Sequence, residues 1–304
     1  MQAVCACSGK PTMSKREPLE WICRDRRLYI SDRPLIMGIL NVTPDSFFDG
    51  GCFFDFDNAI AQGRRLIAEG ADILDIGGES TRPGSEEVPV EEEMRRVLPV
   101  IRKLARQTSA LLSIDTRKAA VARAALAEGA HIVNDVSALT HDADMADVVR
   151  TFGAGVVLMH MQGTPRTMQI NPQYRDVVTE VRQFLADRLA IVSAAGIDLR
   201  QTAVDPGIGF GKNLEHNLDL LACLEMLTAL GRPVVVGVSR KRFIGQLTER
   251  PAPDRLAGTL GAVAYCIAKG AHILRVHDVA ATRDVVNVMV TLVAREHGGR
   301  ADGD

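Results

Sequence analysis

Short apolar runs separated by amphipathic stretches set the rhythm of the chain. Pro34-Leu-Ile-Met-Gly-Ile-Leu40 is an uninterrupted apolar run that ends in the polar, turn-rich segment beginning at Asn41. A repeating unit follows: an amphipathic stretch ending in Gly, a link of two or three residues, a short apolar run and a polar loop. Residues 58–69, 90–106, 118–128, 143–152, 177–195, 214–230, 255–269 and 281–296 read as helices. The second of these places Val90, Met94, Val97, Ile101 and Leu104 on one face, the 3-4-4-3 spacing of a buried helical stripe. Between them, residues 72–76, 111–114, 131–133, 155–159, 203–204, 233–238 and 272–274 read as strands. These runs do not alternate with polar residues, as expected of strands covered on both faces. Gly-Ala-x-Ile recurs at Gly70, Gly129 and Gly270, where glycine at a helix C′ position meets the next buried strand. Roughly eight βα units imply an α/β fold, the (β/α)8 TIM barrel, with a doubly wound open sheet as the alternative. Residues 19–30 precede the repeats and read as a β-hairpin plugging one end of the barrel. We expect tails at residues 1–18 and 299–304 and a single domain over 19–298.

Composition narrows the function. The chain has 304 residues, of which 46% are hydrophobic, and a net charge of −2. It carries no long basic run and no apolar run of the ~18–20 residues that span a bilayer, so nucleic acid and membrane are not expected partners. Six scattered cysteines (Cys5, Cys7, Cys23, Cys52, Cys223 and Cys266) form no zinc-ligand spacing, and a reducing cytoplasm is expected.

In a barrel of this kind all strand C-termini face one mouth, where ligand chemistry sits. The residues falling there are Asn41, Asp75, Asp115, Asn134, Asp135, His160, Asp205, Ser239, Lys241, Arg275 and His277. A lone Asp after a strand is commonly a turn former or helix cap, which accounts for Asp142 and for Asp135. It accounts poorly for Asp115, Asn134, Asp205 and Lys241, which recur at the same position of successive units. Asp115, Asn134 and Asp205 are acceptors suited to a fan of N–H donors such as an aminopyrimidine edge, with Lys241 meeting a ring carbonyl or nitrogen. Ser239-Arg-Lys and Arg275-Val-His277 stand on the last two strands, where barrels commonly bind phosphate. Ser239 offers a hydroxyl near a helix start; a solvated basic run is the plain alternative for residues 239–242. The loop Asp205-Pro-Gly-Ile-Gly-Phe-Gly-Lys212 is not a P-loop, since Pro206 and Asn213 stand where Gly and Ser or Thr are needed. Its glycines are expected to let the backbone pass close to a flat heterocycle.

Taken in order, Met37-Gly-Ile-Leu-Asn-Val-Thr-Pro-Asp-Ser-Phe47, Asp75-Ile-Gly-Gly-Glu-Ser-Thr-Arg-Pro-Gly84, Ser113-Ile-Asp-Thr116, Ile132-Val-Asn-Asp-Val-Ser137, Leu158-Met-His-Met-Gln-Gly163, the Asp205 loop, Gly237-Val-Ser-Arg-Lys241 and Arg275-Val-His-Asp278 form a set. The set resembles the dihydropteroate synthases, the pterin-binding folate-pathway enzymes inhibited by sulfonamides, from about residue 34 to 296. The resemblance implies a transferase that joins 6-hydroxymethyl-7,8-dihydropterin pyrophosphate to 4-aminobenzoate and releases pyrophosphate. It implies that Asp115, Asn134, Asp205 and Lys241 hold the pterin, with Asp115, Asp205 and Lys241 acting in catalysis. Asn41 would bind Mg²⁺ and, with Arg275 and His277, the pyrophosphate. Thr81, Arg82, Pro83, Phe47, Phe210 and Ser239 would form the aminobenzoate pocket, and the first two βα loops would close over the substrates. Phe48 and Arg242 depart from common family residues without removing a ligand. Two alternatives stand beside it: a pterin-binding methyltransferase serving a corrinoid, and a non-catalytic folate-binding paralogue. The family is commonly dimeric, and residues 256–268, apolar or small on nearly all faces, are the expected homodimer interface.

Overall fold

The computed structural model describes residues 18–43, 52–80 and 84–296. The chain enters through an antiparallel hairpin, β1 (Leu19–Cys23) and β2 (Arg26–Ile30), turned at Arg24 in the left-handed region, φ 62°. Parallel strands then alternate with helices in the order β3 (Leu35–Asn41), α1 (Cys52–Ala68), β4 (Ile73–Gly77), α2 (Val90–Ala105), β5 (Leu111–Asp115), α3 (Ala119–Ala127), β6 (Ile132–Asp135), α4 (Met145–Phe152), β7 (Gly155–Met159), α5 (Val177–Ala194) and β8 (Thr202–Asp205). The second part continues with α6 (Leu214–Ala222), α7 (Glu225–Thr228), β9 (Val235–Val236), α8 (Arg242–Thr248), α9 (Leu256–Ala268), β10 (Ile273–Val276) and α10 (Val279–Glu296). The strands lie in the order β8-β7-β6-β5-β4-β3-β10-β9, and the parallel bridge Val204–Val234 closes the sheet. The fold is therefore the barrel and not the open sheet.

Strand register sorts the interior into layers. Met37 is level with Ile73 and Ile73 with Leu111, and these residues join Ile132, Val157, Ala203, Val235 and Ile273 in an apolar plug. The hairpin seals this end: Trp21, Cys23 and Ile30 belong to the same cluster, and Trp21 Nε1 donates to the Gln201 carbonyl at 2.9 Å. Two residues further along each strand the side chains return to the interior but change character. Asp75 is level with Ser113, Gly77 with Asp115, and Asp115 with Asn134. The inner face of the barrel thus runs from apolar at the hairpin end to charged at the other. The outward residues Leu74, Ile76, Leu112, Ile114, Val133, Val156 and Leu158 pack beneath the helices, each fully buried aliphatic side chain contributing ~1.5–3 kcal/mol.

Each helix forms for local reasons. α2 buries Val97, Ile101 and Leu104, carries Glu91, Glu92 and Glu93 in its first turn and Arg102 and Lys103 in its last, matching the helix dipole. The glycines of the repeated Gly-Ala link, Gly70, Gly129 and Gly270, all adopt φ of 100–113°, a region that favours glycine. Two expectations about elements fail. The leucine-rich stretch 214–230 is not one helix: it breaks after Ala222, with Leu224 and Leu227 turned into the core. A two-turn helix, α8, lies between β9 and α9 where none was expected; it is short, contains Gly245, and is held by the buried Phe243 and Ile244. Among the described residues no helix is long and apolar enough to cross a membrane.

Candidate active site

The charged end of the barrel gathers most of the predicted residues at one mouth. Asn41 ends β3, Asp115 ends β5, Asn134 lies in β6, Asp205 ends β8, Arg275 lies in β10 and His277 follows it. Ser239 follows β9, Lys241 caps α8, and Phe210 lies in the loop between β8 and α6. Phe47, Thr81, Arg82 and Pro83 lie outside the described residues.

Arg275 organises the mouth. Its Nε donates to Asp75 Oδ2 and its Nη2 to Asp115 Oδ2, both at 2.6 Å. Asn134 Nδ2 donates to the same Asp75 oxygen at 2.9 Å. Asp75 is therefore the hub that fixes Arg275 and Asn134, although it was only one strand-end carboxylate among many in the sequence. Its signal was present: an Asp inside the apolar run Ile73-Leu-Asp-Ile76, two residues from an inward Ile, must itself point inward. Asp75 Oδ1 and Ser113 Oγ are buried without a partner among the described residues, which leaves hydrogen-bonding capacity at the floor of the mouth.

Burial sets the electrostatics. It pushes the Asp115 carboxyl above the usual carboxylate range, and the positive charge of Arg275 opposes this. Asp205 is raised for the same reason, opposed by the Lys241 ammonium and by the Gly207 N–H, which donates to Oδ1 at 2.7 Å. Burial lowers Lys241 to about 8. The Lys241 amine donates to the Ile208 carbonyl and lies 4.6 Å from the centre of the Phe210 ring. Lys241 is thus part of the mouth and not of a solvated basic run; Arg240 is engaged too, as a fork on Asp278 at 2.9 and 2.6 Å.

Ser239 and His277 act as a pair. The His277 backbone N–H donates to Ser239 Oγ at 3.2 Å, and the same oxygen lies 3.0 Å from His277 Nδ1. The Ser239 hydroxyl thus contacts both the backbone and the ring of His277. The hydroxyl is therefore spent on positioning His277 and does not cap α8. Asp135 and Asp142 are turn formers: Asp135 accepts from the backbone of Ser137 and Leu139, and Asp142 from that of Ala119 and Asp144.

The glycine-rich loop behaves differently from expectation. Gly207 and Gly211 have positive φ, and a Cβ on Gly207 would strike the His160 carbonyl oxygen, while one on Gly211 would lie 2.7 Å from that of Gln162. These two glycines let the loop pack against the backbone that follows β7. Only Gly209 faces the mouth, 3.2 Å from Lys241 Cδ when given a Cβ. Lys212, read merely as the end of a motif, is almost fully buried and is lowered to about 7 by that burial. On the second βα loop, Glu79 is held by Lys118 at 2.5 Å and Arg117 at 2.9 Å, and Lys118 also bonds Glu93 at 2.7 Å.

Residues 37–277 match the family of pterin binding enzymes. The dihydropteroate synthase of Escherichia coli (strain K12) is 45% identical over 265 residues, covering 87% of this chain and 94% of that protein. The solved structure of Xanthomonas albilineans dihydropteroate synthase with 4-aminobenzoic acid superposes with a TM-score of 0.86 at 50% identity, covering 91% of this chain and 99% of that one. The same enzyme in complex with 7,8-dihydropteroate gives a TM-score of 0.82 at 48% identity, with 90% and 99% coverage.

Proposed function

The chain belongs to the dihydropteroate synthase family of pterin-binding enzymes, and from that premise we propose how the residues of its barrel mouth divide the work. It is a transferase that condenses 6-hydroxymethyl-7,8-dihydropterin pyrophosphate with 4-aminobenzoate to give 7,8-dihydropteroate and pyrophosphate. The methyltransferase and non-catalytic alternatives lose ground to this identity, which extends over nearly the whole chain.

The observation that carries the division of roles is the buried network of Asp75, Asp115, Asn134 and Arg275 at the end of an otherwise apolar barrel. Asp115, Asn134 and Asp205 accept from the N–H edge of the pterin, and Lys241 donates to its ring carbonyl or nitrogen. Departure of pyrophosphate leaves positive charge on the methylene attached to the pterin, and Asp115 and Asp205 stabilise that charge from a site poor in water. Arg275, which spends two of its N–H donors on Asp75 and Asp115, and His277, whose ring Ser239 holds through Nδ1, receive the leaving anion. The arylamine nitrogen then attacks the cationic carbon and gives up one N–H proton to the departed pyrophosphate or to water. No protein nucleophile takes part. Phe47, Thr81, Arg82, Pro83, Phe210 and Ser239 are assigned to the aminobenzoate side, and Ser239 also holds His277.

Asn41 is the residue that would hold Mg²⁺. Among the described residues no group of three or more His, Cys, Asp or Glu side chains is placed to cage a metal. Asn41 Oδ1 and Asp115 Oδ2 both border Gly77, 3.9 Å and 3.8 Å from the position a Cβ there would take. Such a sparse oxygen set fits an ion that takes its remaining ligands from water and substrate phosphates. When bound, the ion supplies charge neutralisation at phosphate oxygens.

The same reading makes the protein cytoplasmic, a sulfonamide target and a homodimer. Tyr265 on α9 and Val288 and Leu292 on α10 are exposed large apolar residues on helices that pack together, which supports this face as the dimer contact. The hairpin packs beneath β7 and β8. The activity is tested by pyrophosphate release from the pterin pyrophosphate with Mg²⁺. Release should depend on aminobenzoate and be blocked by a sulfonamide; release indifferent to both would remove the reading.

A further inference from the structure

Within the loop between β8 and α6 the Phe210 N–H donates to the Gly207 carbonyl at 3.0 Å, and the four successive carbonyls from Ile208 to Gly211 are each held by a side chain. Lys241 Nζ donates to Ile208 O, Gln169 Nε2 to Gly209 O at 2.6 Å, Lys212 Nζ to Phe210 O at 2.9 Å and Tyr174 Oη to Gly211 O at 2.9 Å. The Gly209 N–H is taken by Asn217 Oδ1 at 2.7 Å. Gln169 and Tyr174 come from the long connection between β7 and α5, and Lys212 reaches back to the end of β7, 2.9 Å from His160 Nδ1. Three glycines with positive φ would otherwise leave this loop with many accessible shapes. The donors tie down the carbonyls on both sides of Phe210, whose ring lies 4.6 Å from the Lys241 ammonium. Gln169, Tyr174 and Lys212 have no part in the reaction described above.

We propose that Gln169, Tyr174 and Lys212 are positioning residues that make the β7–α5 connection a determinant of arylamine binding, by fixing the carbonyls of the loop that presents Phe210. The inference rests on the assignment of Phe210 to the aminobenzoate pocket. The donors act on the loop and not on the substrate, so their removal should weaken arylamine binding without removing a group that acts in the chemical step.

Steady-state kinetics of Tyr174→Phe and Gln169→Leu, with each substrate varied in turn, test this. Loss of one such bond should raise the KM for 4-aminobenzoate about three- to tenfold and leave the KM for the pterin pyrophosphate and kcat within about twofold. The double variant should fall short of the product of the two effects, because both bonds hold one loop. An unchanged aminobenzoate KM in both variants, with or without a lower melting temperature, overturns the inference. Phe210→Leu separates the two ideas. If it raises the aminobenzoate KM while the donor variants do not, the positioning role alone fails. If it leaves that KM unchanged, the pocket assignment fails and the inference goes with it.

Discussion

Arg275 donates to Asp115 at 2.6 Å, so the group assigned to the leaving anion is ion-paired with a group assigned to the developing cation. Its other contact, Nε to Asp75 at 2.6 Å, makes it a fork that holds two carboxylates from neighbouring strands. Lysine keeps the charge but not the fork. Arg275→Lys should therefore lower kcat/KM on the order of ten- to hundredfold. A value within twofold of wild type would show that charge alone is sufficient.

The pH profile should follow burial. Asp115 must be ionised to stabilise a cation, and its carboxyl is raised, so activity should be lost as pH falls through a value well above ~4, the usual carboxylate pKa. Lys241 must be protonated to donate, and burial lowers it to about 8, so activity should also be lost as pH rises through that value. A narrow bell near neutrality is the expected form of kcat/KM. Lys241→Arg, weaker in absolute rate, should lose the alkaline limb; if that limb stays in place, it belongs to another group.

The hairpin is expected to matter for stability and not for chemistry. Trp21 is fully buried against the apolar plug at the end remote from the charged residues. Trp21→Ala should cost about 3–5 kcal/mol in chemical denaturation. kcat measured where the variant remains folded should stay within twofold; a large loss of kcat would mean that the plug shapes the mouth.

The outer face of α9 and α10 carries the dimer proposal. A charge there should be tolerated by a monomer and not by a dimer contact. Tyr265→Glu combined with Leu292→Glu should sediment as a folded monomer, whereas wild type should sediment at twice that mass. A wild-type monomer, or a dimer that survives both changes, contradicts the assignment of this face.

Much of the architecture could be read from the chain because two signals coincide in it. Helix-ending glycines at Gly70, Gly129 and Gly270 precede unalternated apolar strands, and polar residues fall at the ends of those strands. That pattern is enough to place Asp115, Asn134, Asp205, Lys241, Arg275 and His277 at one mouth. It is silent on which of them touch. The role of Asp75 depends on register across β3, β4 and β5, and that of Ser239 on a contact with His277 from the next strand. Lys212 shows the same limit: nothing in Phe-Gly-Lys says that the side chain turns back beneath its own loop. In the glycines of that loop, sequence does not distinguish a close approach to substrate from a close approach to the backbone of His160 and Gln162. The break after Ala222 carries no Gly or Pro to announce it.

Buried negative charge at the barrel mouth is assigned the chemical work. Turnover of Asp205→Asn at saturating concentrations of both substrates, beside its melting temperature, tests it most directly. Asparagine keeps the size and an acceptor for Gly207 N–H but removes the charge. We expect kcat to fall on the order of 10²- to 10³-fold with the fold essentially as stable as wild type. Near-normal turnover in Asp205→Asn would contradict the account.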